Sequence, residues 1–258
     1  MTNEHAIFDR SSLLLGDAVM ELLSQKRVIV FGIGGVGSWC AEGLIRSGLR
    51  QLTIVDSDTV HITNVNRQSM ATTKTVGMQK TEALKSKLLD INPKAVVEVI
   101  SEAYSAETRD RFHLADYDYV IDAIDSLSCK ADLILHATSL PARTKFFSSM
   151  GAALKLNPSL IRVDEFWKVK GCPLARALRQ RFKRTKVFPA RKFQAVYSPE
   201  VLTNKGCMKD VDTESLSQWD SRKAQVNGSL VHITGIFGFT LASLVLQDIC
   251  ATASEAAR

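Results

Sequence analysis

The sequence predicts an α/β fold in which a mostly parallel β-sheet carries helices on both faces. Short apolar runs rich in β-branched residues alternate with helical patterns over about the first 150 residues, and this order is typical of parallel sheets. A glycine-rich turn directly after the first apolar run supports the same fold. After Gly151 the pattern loosens, and we expect a smaller C-terminal α+β part that completes the sheet and a dimer interface.

The individual elements follow from hydrophobic periodicity and from the turn residues between the apolar runs. Gly48 suits the C-terminal cap of the second helix, and Pro93 closes the third. The predicted helices cover 13–25, 38–47, 76–90 and 128–138. The predicted strands cover 27–31, 52–55, 96–100, 119–124 and 145–150, with weaker patterns at 160–163 and 193–197.

The turn after the first strand is the most informative motif. Residues 28–37 read Val-Ile-Val-Phe-Gly-Ile-Gly-Gly-Val-Gly, and Gly32, Gly34 and Gly37 fit the G-x-G-x-x-G pattern of Rossmann-like folds. Backbone N–H groups in such a turn approach an anion closely, and the following helix directs its positive dipole end at the same anion. The motif therefore predicts a nucleotide phosphate site without saying which nucleotide binds.

Charged residues after the later strands separate two nucleotide classes. Asp56 ends the second strand, where an acid commonly accepts hydrogen bonds from a ribose hydroxyl of either NAD or ATP. Arg67 and Lys80 follow in the sequence. Such cations neutralise the β- and γ-phosphates of a triphosphate, whereas a dinucleotide has no obvious use for them. Asp125 follows the fourth strand and could hold Mg²⁺ together with phosphate oxygens and waters.

Five motifs in order carry a family resemblance: Gly-Ile-Gly-Gly-Val-Gly-Ser, Asp-Ser-Asp, Asn-Val-Asn-Arg-Gln, Val-Gly-Met-Gln-Lys and Asp-Ala-Ile-Asp-Ser. Over about residues 8–153, the chain resembles the ubiquitin-activating-like adenylating superfamily of the ThiF, MoeB and HesA type. Its members activate a carboxylate with ATP and Mg²⁺ by forming an acyl-adenylate. The resemblance makes residues 1–153 the ATP-binding adenylation core and 154–258 the part that faces substrate and tRNA and forms the dimer.

The resemblance also implies roles for individual residues. Asp125 would hold the metal, and Arg10 would enter the ATP site of a partner subunit, which implies a homodimer. Arg10, Arg67, Lys80 and Asp125 form the implied catalytic set. The implied nucleotide-binding set is Gly32, Gly34, Gly35, Gly37, Asp56, Asp58, Asn64, Asn66, Arg67, Gln68, Lys80 and Asp125.

Within the superfamily, the chain is most similar to the bacterial branch that dehydrates threonylcarbamoyladenosine in tRNA. Tyr119-Val-Ile-Asp-Ala-Ile-Asp-Ser126, Asp164 and Phe237-Gly-Phe239 match that branch. The resemblance implies that ATP activates the threonyl carboxylate and that an internal nitrogen then closes a ring. ATP and Mg²⁺ are the implied cofactors, the branch allows a monovalent cation such as K⁺ or Na⁺, and a sulfur-transfer protein is a further possible partner.

A basic stretch in the second half suits an RNA substrate. From 166 to 199 there is no acidic residue, and there are ten lysines or arginines. Such a face neutralises phosphates, and Phe182, Phe188 or Phe193 could stack on a splayed base. The residues expected to contact tRNA are Arg176, Arg179, Arg181, Lys183, Arg184 and Lys186.

Composition narrows the class of protein further. The 258 residues carry a formal net charge of +6, and the five cysteines form no C-x-x-C pair, which argues against a structural zinc site. Cys207 has no flanking motif that assigns it a role. The N-terminus has no long apolar run, so we expect a cytoplasmic protein. The apolar segment at 230–246 is expected to be a buried core or dimer helix rather than a membrane span.

Three alternatives remain open on the sequence. The first is an adenylating activator of a ubiquitin-like or sulfur-carrier protein, which would share the ATP site and differ in its partner. The second is a dehydrogenase, which Arg67 and Lys80 disfavour. The third is a scaffold that binds ATP without catalysis.

Overall fold

The computed structural model describes residues 4–206 and 227–256. Seven strands form one sheet in the order β3-β2-β1-β4-β5-β7-β6. Neighbouring strands are parallel, except that β6 runs antiparallel to β7 at the edge. The strands are β1 (Arg27–Phe31), β2 (Gln51–Val55), β3 (Val96–Ile100), β4 (Tyr119–Asp122), β5 (Lys145–Ser149), β6 (Arg162–Glu165) and β7 (Gln194–Tyr197).

The predicted fold class is confirmed, and each predicted strand is present to within two residues at either end. The two weakly patterned strands, β6 and β7, belong to the second half of the chain and extend the sheet beyond β5. β4 ends at Asp122, two residues before its predicted end. The reason is local, because Asp122 Oδ1 accepts a hydrogen bond from the Ile124 amide at 3.0 Å and turns the chain.

The helices differ from prediction at three places. The predicted helix over 13–25 is two helices, because Gly16 takes a φ of +79° between them. The helix predicted from 76 begins at Lys80, after turns and an isolated bridge between Thr59 and Gln79. The basic stretch contains a helix, Pro173–Thr185, that no prediction assigned. The helices are α1 (Asp9–Leu15), α2 (Asp17–Gln25), α3 (Gly37–Ser47), α4 (Lys80–Ile91), α5 (Leu127–Ser139), α6 (Pro173–Thr185) and α7 (Val231–Ala256).

Both faces of the sheet are covered, so the central strands are buried on both faces and are mostly apolar. In β1, Val28 and Val30 belong to the core beneath α3, α4 and α7, whereas Ile29 and Phe31 belong to the core beneath α5 and α6. This alternation follows from the period of two in a strand. The amphipathic helix α6 contributes Leu178 to the second core.

The apolar segment near the C-terminus forms α7, which packs against α2, α3, β5 and β7. Among the described residues it is the one helix long and apolar enough to cross a membrane, with a mean hydropathy of 1.6 over its most apolar window. In the fold, 56% of that window is buried. Phe237 and Leu241 are fully buried, as expected for a core helix.

Candidate functional site

The glycine-rich turn joins β1 to α3 at the carboxyl edge of the sheet. Gly32 takes a φ of +77°, and a Cβ added there would lie 2.9 Å from the Ala123 carbonyl oxygen, so only glycine fits. The Gly32 amide donates to the Val55 carbonyl at 2.9 Å, and Ser38 Oγ donates to the Gly34 carbonyl at 2.6 Å. The turn thus lies between β2 and the loop after β4, with the amino end of α3 directed into it.

Three of the predicted residues form a charged cluster beside this turn, in which Lys80 is buried and Asp56 and Asp58 are partly buried. Asp56 Oδ2 accepts the Ile33 amide of the turn at 3.0 Å, and Asp56 Oδ1 accepts the Asp58 amide at 3.0 Å. Lys80, only 6% exposed, places Nζ 2.7 Å from Asp58 Oδ2 and 3.5 Å from Asp56 Oδ1. The sequence predicts that Lys80 binds phosphates, and the structure shows that Lys80 pairs with these two carboxylates.

Burial and charge act in opposite directions within this cluster. Burial raises the pKa of Asp56 above its ordinary value, although the neighbouring Lys80 ammonium partly offsets that rise. Burial by itself would lower the pKa of Lys80, but Asp56 and Asp58 outweigh it and leave that pKa above its ordinary value. Lys80 is therefore a cation at neutral pH, next to the glycine-rich turn.

The segment after β2 brings Asn64, Asn66, Arg67 and Gln68 to the same turn. Asn64 is buried, and its Oδ1 accepts the His61 amide at 3.0 Å, so its side chain shapes the loop. Arg67 Nη1 donates to the Asn66 side chain at 2.9 Å, and a Cβ added at Gly35 would lie 3.4 Å from Arg67 Cγ. Asn66 also donates to the Ser229 carbonyl, just before α7.

Gln68 has an unpaired buried oxygen at this turn. Its side chain is 6% exposed, and its Nε2 lies 3.7 Å from the position that a Cβ of Gly34 would take. Its Oε1 is buried and has no hydrogen-bond partner within the described part of the chain. A buried acceptor without a donor is costly, so this side chain lowers the stability of the loop unless its oxygen gains a donor.

Asp125 lies on the exposed loop between β4 and α5. That loop is held by a fully buried ion pair in which Lys130 Nζ lies 2.7 Å from Asp122 Oδ2 and donates to the Ile124 carbonyl at 2.9 Å. Ser148 Oγ donates to the same carboxylate oxygen at 2.6 Å. Sequence reasoning missed Lys130, although a lysine among the apolar positions of a predicted helix was a visible signal.

Trp39 is a second residue whose part sequence reasoning missed. Its Nε1 donates to the Arg67 carbonyl at 2.9 Å, and Lys87 Nζ lies 5.4 Å from the centre of its ring. Thr234 of α7 packs close to Gly35. α3 and α7 therefore hold the Arg67 loop against the turn, and the position of Trp39 directly after Gly-x-Gly-Gly-x-Gly-Ser was the signal.

Arg10 lies apart from this cluster. It is exposed on α1, a helix with no buried residue that packs against α2. Ile7, Leu13 and Leu14 nearby are also exposed, the two leucines by more than 80%. Cys207 lies outside the described residues.

The predicted RNA-contact residues lie on and just after α6, but they are not equivalent. Arg176, Lys183, Arg184 and Lys186 are exposed. Arg181 is half-buried, and so is Arg179, whose Nη1 donates to the Phe166 carbonyl at 3.1 Å. The expectation that Phe182 and Phe193 could stack on a base is wrong, because they are 1% and 6% exposed and belong to the core.

A metal site built from protein ligands alone is absent from residues 4–206 and 227–256, where no three His, Cys, Asp or Glu side chains converge. Mg²⁺ does not need such a site, since it commonly takes one or two carboxylates together with phosphate oxygens and waters. One exposed carboxylate, that of Asp125 on the loop after β4, fits that mode of binding.

A glycine-rich turn, a carboxylate directly after β2 and two cations at the carboxyl ends of the strands are typical of a nucleotide-binding α/β protein. The ThiF family model matches residues 8–257, and the chain belongs to the ThiF family.

Particular relatives are more informative than the family. The chain is 33% identical over 245 residues to a tRNA threonylcarbamoyladenosine dehydratase of Bacillus subtilis, covering 94% of both chains. It superposes with a TM-score of 0.82 on the crystal structure of E. coli tRNA N6-threonylcarbamoyladenosine dehydratase in complex with ATP, at 30% identity and with 97% and 96% of the chains covered. The AMP complex of that enzyme matches with a TM-score of 0.81, at the same identity and coverage.

Proposed function

We propose that this protein is an ATP-dependent dehydratase of threonylcarbamoyladenosine in tRNA. The observation that carries the proposal is the match along nearly the whole chain to an enzyme of that name solved with ATP. The site agrees with it, because the phosphate turn is accompanied by Arg67 and by the charged Lys80, cations that a triphosphate requires.

The residues of this chain would bind and orient ATP as follows. The turn and the amino end of α3 hold phosphate oxygens, and Asp56 accepts hydrogen bonds from the ribose. Arg67 and Lys80 neutralise phosphate charge, and Asp125 holds Mg²⁺. When bound, Mg²⁺ further stabilises negative charge on the phosphate oxygens. A monovalent cation such as K⁺ or Na⁺ would bind in the same way, through phosphate oxygens and waters.

The reaction then needs positioning rather than a side-chain nucleophile. A threonyl carboxylate oxygen attacks the α-phosphorus, and pyrophosphate leaves. An internal nitrogen of the same modified nucleoside attacks the acyl carbon and loses its proton, and AMP departs with the carboxylate oxygen. The nucleoside has then lost the elements of one water molecule.

The remaining parts of the proposal concern assembly and substrate. The exposed cations of α6 would contact tRNA phosphates, which assigns residues 154–258 to substrate contact and dimerisation and residues 1–153 to adenylation. Arg10 would complete the ATP site of a second subunit in a homodimer. A cytoplasmic location suits a tRNA substrate, and a sulfur-transfer protein is a further candidate partner.

Mass spectrometry of nucleosides tests the proposal. The protein is incubated with ATP, Mg²⁺ and bulk tRNA that contains threonylcarbamoyladenosine, and the digested nucleosides are compared with those of the Arg67→Ala variant. We expect a nucleoside lighter by one water, together with AMP, for the wild-type protein alone. If AMP appears only when a ubiquitin-like or sulfur-carrier protein is added, the alternative of a carrier-protein activator replaces the proposal.

A further inference from the structure

Two exposed aromatic side chains, Trp167 and Phe188, lie together beside α6. Trp167 is 37% exposed and Phe188 is 51% exposed, and their ring centroids are 6.2 Å apart at an interplanar angle of 44°. We call them the aromatic pair. Trp167 is held in place, since its ring packs edge-on at 5.3 Å against the fully buried Phe166 and its amide donates to Glu165 Oε1 at 3.2 Å.

The aromatic pair lies at the amino ends of the parallel strands, whereas the glycine-rich turn lies at their carboxyl ends. α6 begins at the carboxyl edge, where Leu174 packs close to Gly151 after β5. It ends near the amino edge, where Arg191 donates to the carbonyl of Thr144, the residue before β5. The Phe166 amide donates to the Phe193 carbonyl, just before β7, which places Trp167 at that edge too. A base on this pair is therefore not the nucleoside that reacts.

The surroundings of the aromatic pair are positively charged. Lys168, Lys170, Lys186 and Lys192 are exposed neighbours in sequence. The nearest acids in sequence are Glu165, which accepts the Trp167 amide, and Asp164, whose Oδ2 accepts the Tyr197 hydroxyl at 2.8 Å. Both keep their negative charge, and the four lysines outnumber them by two to one. Exposed aromatic rings among lysines are typical of surfaces that bind single-stranded nucleic acid, where bases stack and phosphates pair with the cations.

We propose that the aromatic pair is a stacking platform for an unpaired base of tRNA, separate from the base that is modified. This inference rests on the proposed function, since tRNA is the RNA that the site would act on. α6 is about 20 Å long and would connect the two sites. Its exposed cations would bind the tRNA phosphates between the reacting nucleoside and the stacked base. Binding at two points along tRNA orients the substrate better than binding of one base alone.

Equilibrium binding of fluorescein-labelled tRNA tests the platform. We expect Trp167→Ala and Phe188→Ala each to weaken binding about fivefold or more, and Trp167→Phe, which keeps an aromatic face, to retain most of the affinity. Val187→Ala is the matched control, because Val187 is 50% exposed and adjacent to Phe188 but has no ring. It should leave affinity unchanged.

The salt dependence of binding separates stacking from phosphate contact. Arg184→Glu should reduce the slope of log affinity against log salt by about 1 or more, since it removes a phosphate contact. Trp167→Ala should leave that slope unchanged, because stacking releases no counterions. Circular dichroism and light scattering on each variant report the fold and the oligomeric mass.

Four other results would overturn the stacking platform, and they differ in what they imply for the proposed function. If the wild-type protein binds tRNA and Trp167→Ala binds equally well, the platform is overturned while the proposed function stands. If Val187→Ala weakens binding as much as Phe188→Ala, stacking is not the cause and the platform is again overturned. A change of oligomeric mass in Trp167→Ala would make this face a subunit contact instead. If the wild-type protein does not bind tRNA, the proposed function fails together with the platform.

Discussion

Several residues of this site hold one another in place through ion pairs and hydrogen bonds. Lys80 was directed at phosphates by its place in the sequence, yet in the fold it lies between Asp56 and Asp58. Asn64 shapes the loop that carries Arg67, and Arg67 itself is held at its backbone by Trp39. The site is thus preorganised by contacts among its own residues, which suits catalysis through positioning.

Asp125→Ala should abolish AMP formation without destabilising the fold. Asp125 is exposed, so its removal opens no cavity, and the proposed loss is that of a metal ligand. The measurement is AMP release with bulk tRNA over a Mg²⁺ titration, with thermal unfolding alongside. Asp110→Ala serves as the control, because it removes an acid that is 88% exposed on the short 3₁₀ helix Arg109–Phe112. Full activity in Asp125→Ala would remove this residue from the metal role.

Lys130→Met should destabilise the protein by roughly 3–5 kcal/mol, because it leaves the Asp122 carboxylate buried and unpaired. The double variant Lys130→Met/Asp122→Asn buries no charge and should recover much of that loss. Urea unfolding measures both free energies. A double variant as unstable as the single one would show that the charge pair itself is not the cause of the loss.

At the scale of elements, the contact between α3 and α7 supports the site from behind. Both helices lie on one face of the sheet, and α7 brings Thr234 to the turn while α3 supplies Trp39. Glycines allow this close approach, as a Cβ added at Gly238 would lie 2.5 Å from the Val36 carbonyl oxygen and 2.8 Å from the Cys40 amide nitrogen.

Gly238→Ala should therefore force α7 away from α3 and cost about 1–3 kcal/mol of stability. Gly235→Ala in the same helix is the matched control. Its added Cβ would meet no atom closer than 3.9 Å, so alanine should be neutral or stabilising by up to about 1 kcal/mol through helix propensity. Denaturant unfolding of the two variants compares them directly. Equal stabilities would mean that this contact can relax without loss.

At the scale of the whole molecule, the proposed homodimer predicts that Arg10 of one subunit acts in the ATP site of the other. Arg10→Ala and Arg67→Ala should each be inactive by themselves. Mixed dimers of the two would contain one site with both arginines, so an equal mixture should recover about a quarter of wild-type activity.

The control for this complementation mixes Arg10→Ala with the double variant Arg10→Ala/Arg67→Ala, in which no complete site can form. The measurement is AMP formation after the subunits are unfolded together and refolded. Two results would contradict the role of Arg10 in a partner's site. One is equal recovery of activity in the two mixtures. The other is no recovery in the mixture of Arg10→Ala with Arg67→Ala, although its measured mass shows that dimers have formed.

The sequence by itself determined the parallel sheet, its strand positions and the chain order of the phosphate turn, Asp56, Arg67, Lys80 and Asp125. These features follow from local signals, namely hydrophobic period, glycine spacing and acids after strand ends, which short stretches of chain carry on their own. Only the tertiary structure decided which charges face which. It paired Lys80 with Asp56 and Asp58, buried Lys130 with Asp122, and left Phe188 exposed while burying Phe182. Burial and pairing depend on segments that lie far apart in the chain and meet only when the sheet and its covering helices assemble.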